Sequence, residues 1–208
     1  ENNELRRIRK WKEIRHFWNV TNNSKEHGGN IENAFWMYGN YPIPVTQFVM
    51  ALLEEFKFKN DVATENHFRW LYWSLEGGKE GLGDWRELLA ATKCITFFRM
   101  IKRRPEELLI QLFNIYALGA SEQSSSRDDM YLESKEILPK LFNLPLITAY
   151  EQSFMTEQLT DAVVRIPHDQ PIKRQMFRNI LLNNRPLVKY WAELLWKQIP
   201  ADLRLLAL

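Results

Sequence analysis

Glycine is scarce in this sequence and is concentrated in two loops. The chain has 208 residues and contains eight Gly and eight Trp, whereas Gly alone averages about 7% of residues in globular domains. Six of the eight Gly lie at 28–29 and 77–83. Because glycine supplies tight turns and phosphate-binding loops, a chain with so little of it outside two loops is predicted to be all-α.

The composition describes a folded, nearly neutral protein. Apolar residues make up 45% and charged residues 26% of the chain, which is enough apolar material for a sizeable core. The net charge of +2 is too small for a field that attracts nucleic acid, so nucleic acid is not an expected partner. No apolar run approaches membrane-spanning length, so we predict a cytoplasmic protein without a membrane partner. The sequence begins with Glu1, and we interpret it as an excised segment of a longer protein.

Residues that could carry catalysis are few and dispersed. The single cysteine, Cys94, cannot form an intrachain disulfide, and its helical surroundings favour a buried structural thiol over a nucleophile. The histidines, His16, His27, His67 and His168, lie in four separate segments, and each is more typical of a surface or capping residue than of a ligand. The sequence also lacks the zinc-binding His-Glu-x-x-His pattern, the nucleophile elbow and the phosphate loop. We therefore predict no enzymatic activity and no cofactor.

Apolar residues recur every three to four positions along most of the chain, which predicts eight or nine helices. They are expected at 5–18, 46–57, 61–75, 84–102, 106–118, 133–142, 156–164, 171–182 and 186–198. The short turn at 183–186 makes the last two an antiparallel C-terminal hairpin. The helix at 61–75, begun by Asp61 or Thr64, is apolar over most of its circumference and is expected to be deeply buried.

We expect these helices to form one compact domain over 1–208 with three segments. Residues 1–60 hold the N-terminal helices and a long loop. Residues 61–145 hold a paired unit described below, and 146–208 form the C-terminal helical segment.

The segment from Tyr72 to Leu89 has the spacing of a calcium-binding helix–loop–helix motif, the EF-hand. Such a loop has twelve residues, with oxygen ligands at positions 1, 3, 5, 9 and 12 and Gly at position 6. Four carboxylates lie in this register, with Gly81 at position 6: Glu76 at position 1, Glu80, Asp84 at position 9 and Glu87 at position 12. Gly78 at position 3 has no side-chain oxygen, and Lys79 adds a positive charge. We therefore expect a vestigial loop that binds no metal.

EF-hands pack in pairs, so a second loop is expected after the first. The helix at 106–118 has the pattern of an entering helix, but Ala117 stands where an Asp would begin the loop. If Leu132 is the apolar residue at position 8, the loop ends at Glu136 and has twenty residues, eight more than the standard loop. Its insertion, Ser121–Asp129, is predicted to be a disordered loop, and whether a kinase phosphorylates its serines stays open.

This combination resembles the degenerate EF-hand region in the C-terminal part of the sperm flagellar protein 2 family, large proteins of the central apparatus of motile cilia. Phe68–Thr92 carries the resemblance, above all Leu-Glu-Gly-Gly-Lys-Glu-Gly-Leu-Gly-Asp-Trp-Arg-Glu-Leu-Leu, together with the helix at 106–118. The resemblance implies a non-enzymatic role in central-apparatus and sperm flagellum assembly. It also implies a location in the axoneme of the motile cilium or sperm flagellum, with axonemal or intraflagellar transport components as partners.

The leading functional hypothesis is a helical module that binds other proteins. Aromatic residues anchor many interfaces, and the candidates for partner contact lie in the last and first helices: Trp191, Leu195, Trp196, Trp11 and Trp18. Two alternatives stay open. A calcium-sensing EF-hand domain would complete the loop with carbonyl and water oxygens. A basic-patch binder of an acidic partner would use the basic first helix and residues 165–208, which hold eight basic and three acidic residues.

Overall fold

The computed structural model describes residues 3–23, 29–39, 41–59, 61–75, 77–117, 131–133, 154, 157 and 171–206. Within them lie ten α-helices and two short strands, which confirms the predicted all-α fold, with one helix more than the eight or nine expected. The chain divides into two compact units, Glu1–Thr92 and Lys93–Leu208. The segments predicted at 1–60, 61–145 and 146–208 stay predictions.

The first unit contains four complete helices and the start of a fifth. The helices are α1 (Asn3–Asn23), α2 (Ile31–Phe35), α3 (Val45–Glu55), α4 (Val62–Ser74) and α5 (Trp85–Thr96), with single 3₁₀ turns at Trp36–Tyr38 and Gly78–Glu80. Of the two predicted starts of α4, Asp61 is the cap: its carboxylate accepts hydrogen bonds from the Ala63 amide at 3.3 Å and the Thr64 hydroxyl at 3.1 Å. Pro44, with extended backbone, precedes α3 and fixes where that helix begins.

Helix α4 is buried on one face only. Phe68, Leu71 and Tyr72 are inaccessible to solvent, whereas Trp70 is 54% and Trp73 is 37% exposed. The two exposed indoles pack edge to face with ring centroids 5.2 Å apart. The prediction that this helix is deeply buried is therefore wrong for one face, where two tryptophans cover each other instead of entering the core.

The second unit contains the remaining helices and a small antiparallel ladder. The helices are α6 (Phe98–Arg103), α7 (Pro105–Tyr116), α8 (Arg174–Asn183), α9 (Arg185–Gln198) and α10 (Ala201–Leu206). The strands are β1 (Tyr131–Glu133) and β2 (Pro171–Lys173), with Leu132 opposite Ile172. Only Asn184 separates α8 from α9, at the turn predicted between the last two helices, and its side chain donates a hydrogen bond to the carbonyl of Ile180 at 2.8 Å and caps the end of α8.

Three predicted helices differ from the structure. The helix expected at 84–102 is interrupted at Phe97, whose φ of −108° and ψ of 32° fall outside helical values. This break follows Ile95 and Thr96, β-branched residues that lose side-chain freedom in a helix. The helix expected at 171–182 begins at Arg174 because Pro171–Lys173 pairs as strand β2, and Glu133 lies in strand β1 instead of starting a helix.

Several predictions lie outside the described residues. They are the remainder of the helix at 133–142, all but Glu157 of the helix at 156–164, and the Ser121–Asp129 loop.

Candidate functional site

The predicted hand-like loop between α4 and α5 has the backbone that the spacing indicates. Gly77 and Gly81 have φ values of 72° and 75°, the left-handed region that favours glycine. Gly81 thus makes the sharp turn expected at position 6 of an EF-hand loop. The Leu82 amide donates to the carbonyl of Gly77 at 2.8 Å and closes the turn. The described residues of the loop thus have the left-handed turn that an EF-hand loop places at position 6.

This loop pairs with an upstream segment between α2 and α3. Ile43 and Gly83 form an antiparallel bridge, and the Tyr72 hydroxyl donates to the Ile43 carbonyl at 2.5 Å and accepts from the Gly83 amide at 3.0 Å. The Trp85 indole N–H donates to the Gly39 carbonyl at 2.9 Å. The structure thus holds a pair of helix–loop–helix units, α2–α3 and α4–α5. Sequence reasoning missed this pairing because it searched downstream, where most of 117–136 lies outside the described residues.

The carboxylate at loop position 9 is held by the chain's own arginine. The Arg86 guanidinium donates from Nε and Nη2 to the two oxygens of Asp84 at 3.0 and 3.1 Å. The backbone amide of Arg86 also donates to Asp84 at 3.1 Å, so this aspartate caps the start of α5. Arg86 is buried. A bidentate, charge-assisted pair of this kind neutralises the Asp84 carboxylate without a metal ion.

The carboxylate at loop position 12 is held by a lysine from α1. Lys10 Nζ lies 2.5 Å from Glu87 Oε1, and the side chains are only 7% and 3% exposed. In a working EF-hand this position supplies a bidentate glutamate to calcium. Here that glutamate is paired with an ammonium group of the chain instead. Lys10 is one of the basic residues of α1 that the sequence placed on a solvent-facing side, and neither its burial nor its partner was predicted.

The remaining two carboxylates of the loop, Glu76 and Glu80, add no metal ligands within the described residues. Glu76 lies outside the described residues, and Glu80 is exposed in the short turn at Gly78–Glu80. Within the part of the chain that the structure describes, no group of three or more His, Cys, Asp or Glu side chains is placed to hold a metal ion.

Helix α1 covers an apolar face of the hand-like pair. Trp11, Ile14 and Phe17 on α1 are each at most 5% exposed. The Phe17 ring lies 5.7 Å from that of Phe56, at the end of α3, and 6.0 Å from that of Phe68 on α4. Of the candidates for partner contact, Trp11 is therefore a core residue and Trp18 is half-buried.

A histidine pair lies where α1 meets α4. The His16 and His67 rings pack edge to face at 4.0 Å, and His67 Nδ1 lies 3.2 Å from a carboxylate oxygen of Glu13. Burial lowers the pKa of His67 to about 4, with the nearby His16 as a second cause, and burial raises the pKa of Glu13. His67 is thus neutral at physiological pH, and its Nδ1 shares a hydrogen bond with Glu13. This geometry describes a packing contact between helices.

Cys94 is completely buried in α5, as predicted, and burial raises the pKa of its thiol to about 12. The thiol is therefore protonated at neutral pH and lacks the exposed, electropositive surroundings of a nucleophile.

The C-terminal candidates differ in accessibility. Trp191 and Leu195 are fully buried, so they belong to the core of the second unit. Trp196 is half-buried: its ring stacks on Phe98 at 5.7 Å, and Lys102 Nζ lies 4.1 Å above its centroid. Trp196 is therefore the C-terminal candidate that can contact a partner without unfolding the unit.

No helix in the described ranges combines the length and apolar character needed to cross a bilayer. No protein-family model, curated protein or solved structure matches the chain.

Proposed function

We propose that this chain is a non-enzymatic, calcium-independent helical module through which a larger ciliary protein binds other proteins. The observation that carries the proposal is the pairing of the carboxylates at loop positions 12 and 9 with cations of the chain, Glu87 with Lys10 and Asp84 with Arg86. A hand-like pair fixed in this way serves as a scaffold and not as a sensor.

The energetics of the buried pair favour this function over calcium sensing. A calcium ion would have to displace the Lys10 ammonium from Glu87 and leave it without that partner in the protein interior, which is costly. The ion would also need six to eight oxygens, and the second position that could supply them, Asp84, is engaged by Arg86. In calcium sensors the ion exposes an apolar groove, whereas here α1 already covers an apolar face of the pair.

The ciliary part of the proposal is supported by the resemblance at Phe68–Thr92. On that basis we propose a role in central-apparatus and sperm flagellum assembly, a location in the axoneme, and axonemal or intraflagellar transport components as partners.

Calcium titration tests the metal-free hand. Isothermal titration calorimetry and thermal unfolding of the 208-residue chain with calcium up to the millimolar range should show no binding heat and no shift of the melting temperature. A working EF-hand domain, titrated in parallel, is the positive control. Saturable heat with a stoichiometry near one ion per chain would establish the sensor instead.

Localisation tests the ciliary assignment. The chain, fused to a small fluorescent tag, is expressed in cultured cells with motile cilia and imaged against a tubulin marker. Enrichment along the axoneme is expected, whereas a diffuse cytoplasmic signal equal to that of the tag alone would contradict it.

A further inference from the structure

The second unit carries an accessible groove between α9 and the α6–α7 corner. Two depressions, of about 420 and 440 Å³, lie along α9 and adjoin at Lys102, Pro105 and Lys189, which line both; we call the two together the groove. On α9 the groove follows Arg185, Lys189, Ala192 and Trp196, a spacing that places all four on one side of the helix.

The floor of the groove is apolar and shallow. Ile101, Val188 and Ala192 line it and are each at most 6% exposed, and Pro105 and half-buried Trp196 complete its walls. At Ala192 the small side chain leaves room for a partner's side chain against α9. The 14-residue α9 is roughly 21 Å long, which matches the length of a partner helix of three to four turns and exceeds that of a small molecule.

The rim of the groove is predominantly basic. Four cations line it, all of them exposed: Lys102, Arg185, Lys189 and Lys197. Two acids, Glu106 and Glu193, also line the groove and leave it with a net charge of +2. Exposed rim charges of this kind select partners by complementarity more than they add affinity.

From this geometry we infer that the groove binds an acidic amphipathic helix of another protein. The inference rests on the proposed protein-binding function and names the partner's chemistry. Apolar side chains of the partner, spaced at i, i+3, i+4 and i+7, lie on the floor beside Ala192 and Trp196, and its carboxylates face the rim cations.

The two acids in the groove distinguish this partner from a continuous polyanion. Glu106 and Glu193 lie among the cations, so a phosphate backbone that follows the groove would meet like charge at both positions. A helix avoids this repulsion by presenting a neutral or basic residue there, and the same two acids then set its register.

A designed peptide pair tests the partner's chemistry. The probe is a fluorescein-labelled 18-residue amphipathic helix with Leu on one face and Glu on both flanks, and its match has Lys in place of every Glu. Fluorescence anisotropy with the full 208-residue chain should show binding of the Glu peptide, weakened by added salt, with at least about tenfold lower affinity for the Lys peptide. Equal affinity for the two peptides would overturn the inference.

Charge reversal locates the binding surface. The double variant Lys102→Glu/Lys189→Glu should weaken binding of the Glu peptide by about tenfold or more. The control Lys12→Glu/Lys59→Glu changes the net charge equally at exposed positions of the first unit and should alter affinity by less than about twofold. All four positions are exposed, and circular dichroism checks that both variants fold. Equal loss in both variants would assign binding to the overall charge and overturn the inference.

Competition and sedimentation experiments test whether a polyanion or a second copy of the chain occupies the groove instead of an acidic helix. If 20-mer oligothymidine or phosphatidylserine vesicles displace the Glu peptide at lower concentration than unlabelled peptide does, the groove is a polyanion site and the inference fails. It also fails if sedimentation velocity shows a dimer that the Lys102→Glu/Lys189→Glu variant abolishes. Calcium binding is measured separately, so failure of the groove and failure of the metal-free hand are distinguishable.

Discussion

The buried pair between Lys10 and Glu87 makes the sharpest stability prediction. The substitution Lys10→Met keeps a long apolar stem and removes the ammonium that lies 2.5 Å from the carboxylate. Because Glu87 is 3% exposed, water cannot replace the lost partner. Removing one member of a buried ion pair costs about 3–5 kcal/mol. For a chain of this length each kcal/mol lowers the melting temperature by about 2–4 °C, so a decrease of about 6–20 °C is expected.

Urea denaturation followed by circular dichroism measures this cost. The matched control is Lys12→Met, on the same helix but exposed, which should change stability by no more than about 0.5 kcal/mol. The double variant Lys10→Met/Glu87→Gln should recover most of the loss, because the charge that required Lys10 is gone. If Lys10→Met is as mild as its control, the ammonium does not neutralise a buried charge at loop position 12, and the argument for a fixed hand fails.

Three further predictions concern the same unit. Since the folded-state pKa of His67 is lowered to about 4, the unfolded chain binds a proton first as the pH falls from 6.5 towards 4. Urea titrations should therefore show a loss of about 1–2 kcal/mol over this range after allowance for solvent screening. The raised pKa of Glu13 opposes this loss, and a pH profile unchanged in His67→Gln would contradict the assignment. Tyr72→Phe removes a hydroxyl bonded to two backbone groups and should cost about 1–3 kcal/mol in urea denaturation; a neutral change would contradict the cross-link. Gly81→Ala should cost about 1–2 kcal/mol for its left-handed backbone alone. In Gly77→Ala the new Cβ would lie 2.4 Å from a backbone carbonyl oxygen, so this variant should be about 1–3 kcal/mol less stable than Gly81→Ala. Equal melting temperatures for the two variants would refute the packing argument.

Local signals in the sequence predicted local structure well. Asp61 caps α4, Gly81 makes the left-handed turn at loop position 6, and Asn184 joins the C-terminal hairpin. In each case the physical cause lies within a few residues: a side-chain oxygen near free amides, a residue without Cβ, or a turn between two apolar periods. These features are therefore readable without knowledge of the fold.

The contacts that determine the character of the candidate site were not readable in this way. Lys10 and Glu87 are 77 residues apart, and in the helical periodicity of α1 this lysine belongs to a solvated basic face. Its burial arises because α1 lies on the hand-like pair, where Phe17 packs against Phe56 and Phe68. Likewise, Trp11 and Trp191 are typical interface residues by type, yet the fold uses both as core. Tertiary packing decided these positions.

The upstream helix–loop–helix unit pairs with the α4–α5 loop although its own loop has no carboxylate side chains. Its loop lacks the acids and most of the glycines by which such loops are recognised, so the spacing of ligand residues could not identify it. The two loops still correspond in position: Ile43 and Gly83 each lie two residues before a helix, and they pair with each other in the antiparallel bridge. Tyr72 and Trp85 then tie the two loops together through hydrogen bonds to the backbone. Because the side chains of Tyr72 and Trp85 supply these links, the two loops are joined without a shared metal ion, and one of the eight tryptophans acquires a structural role.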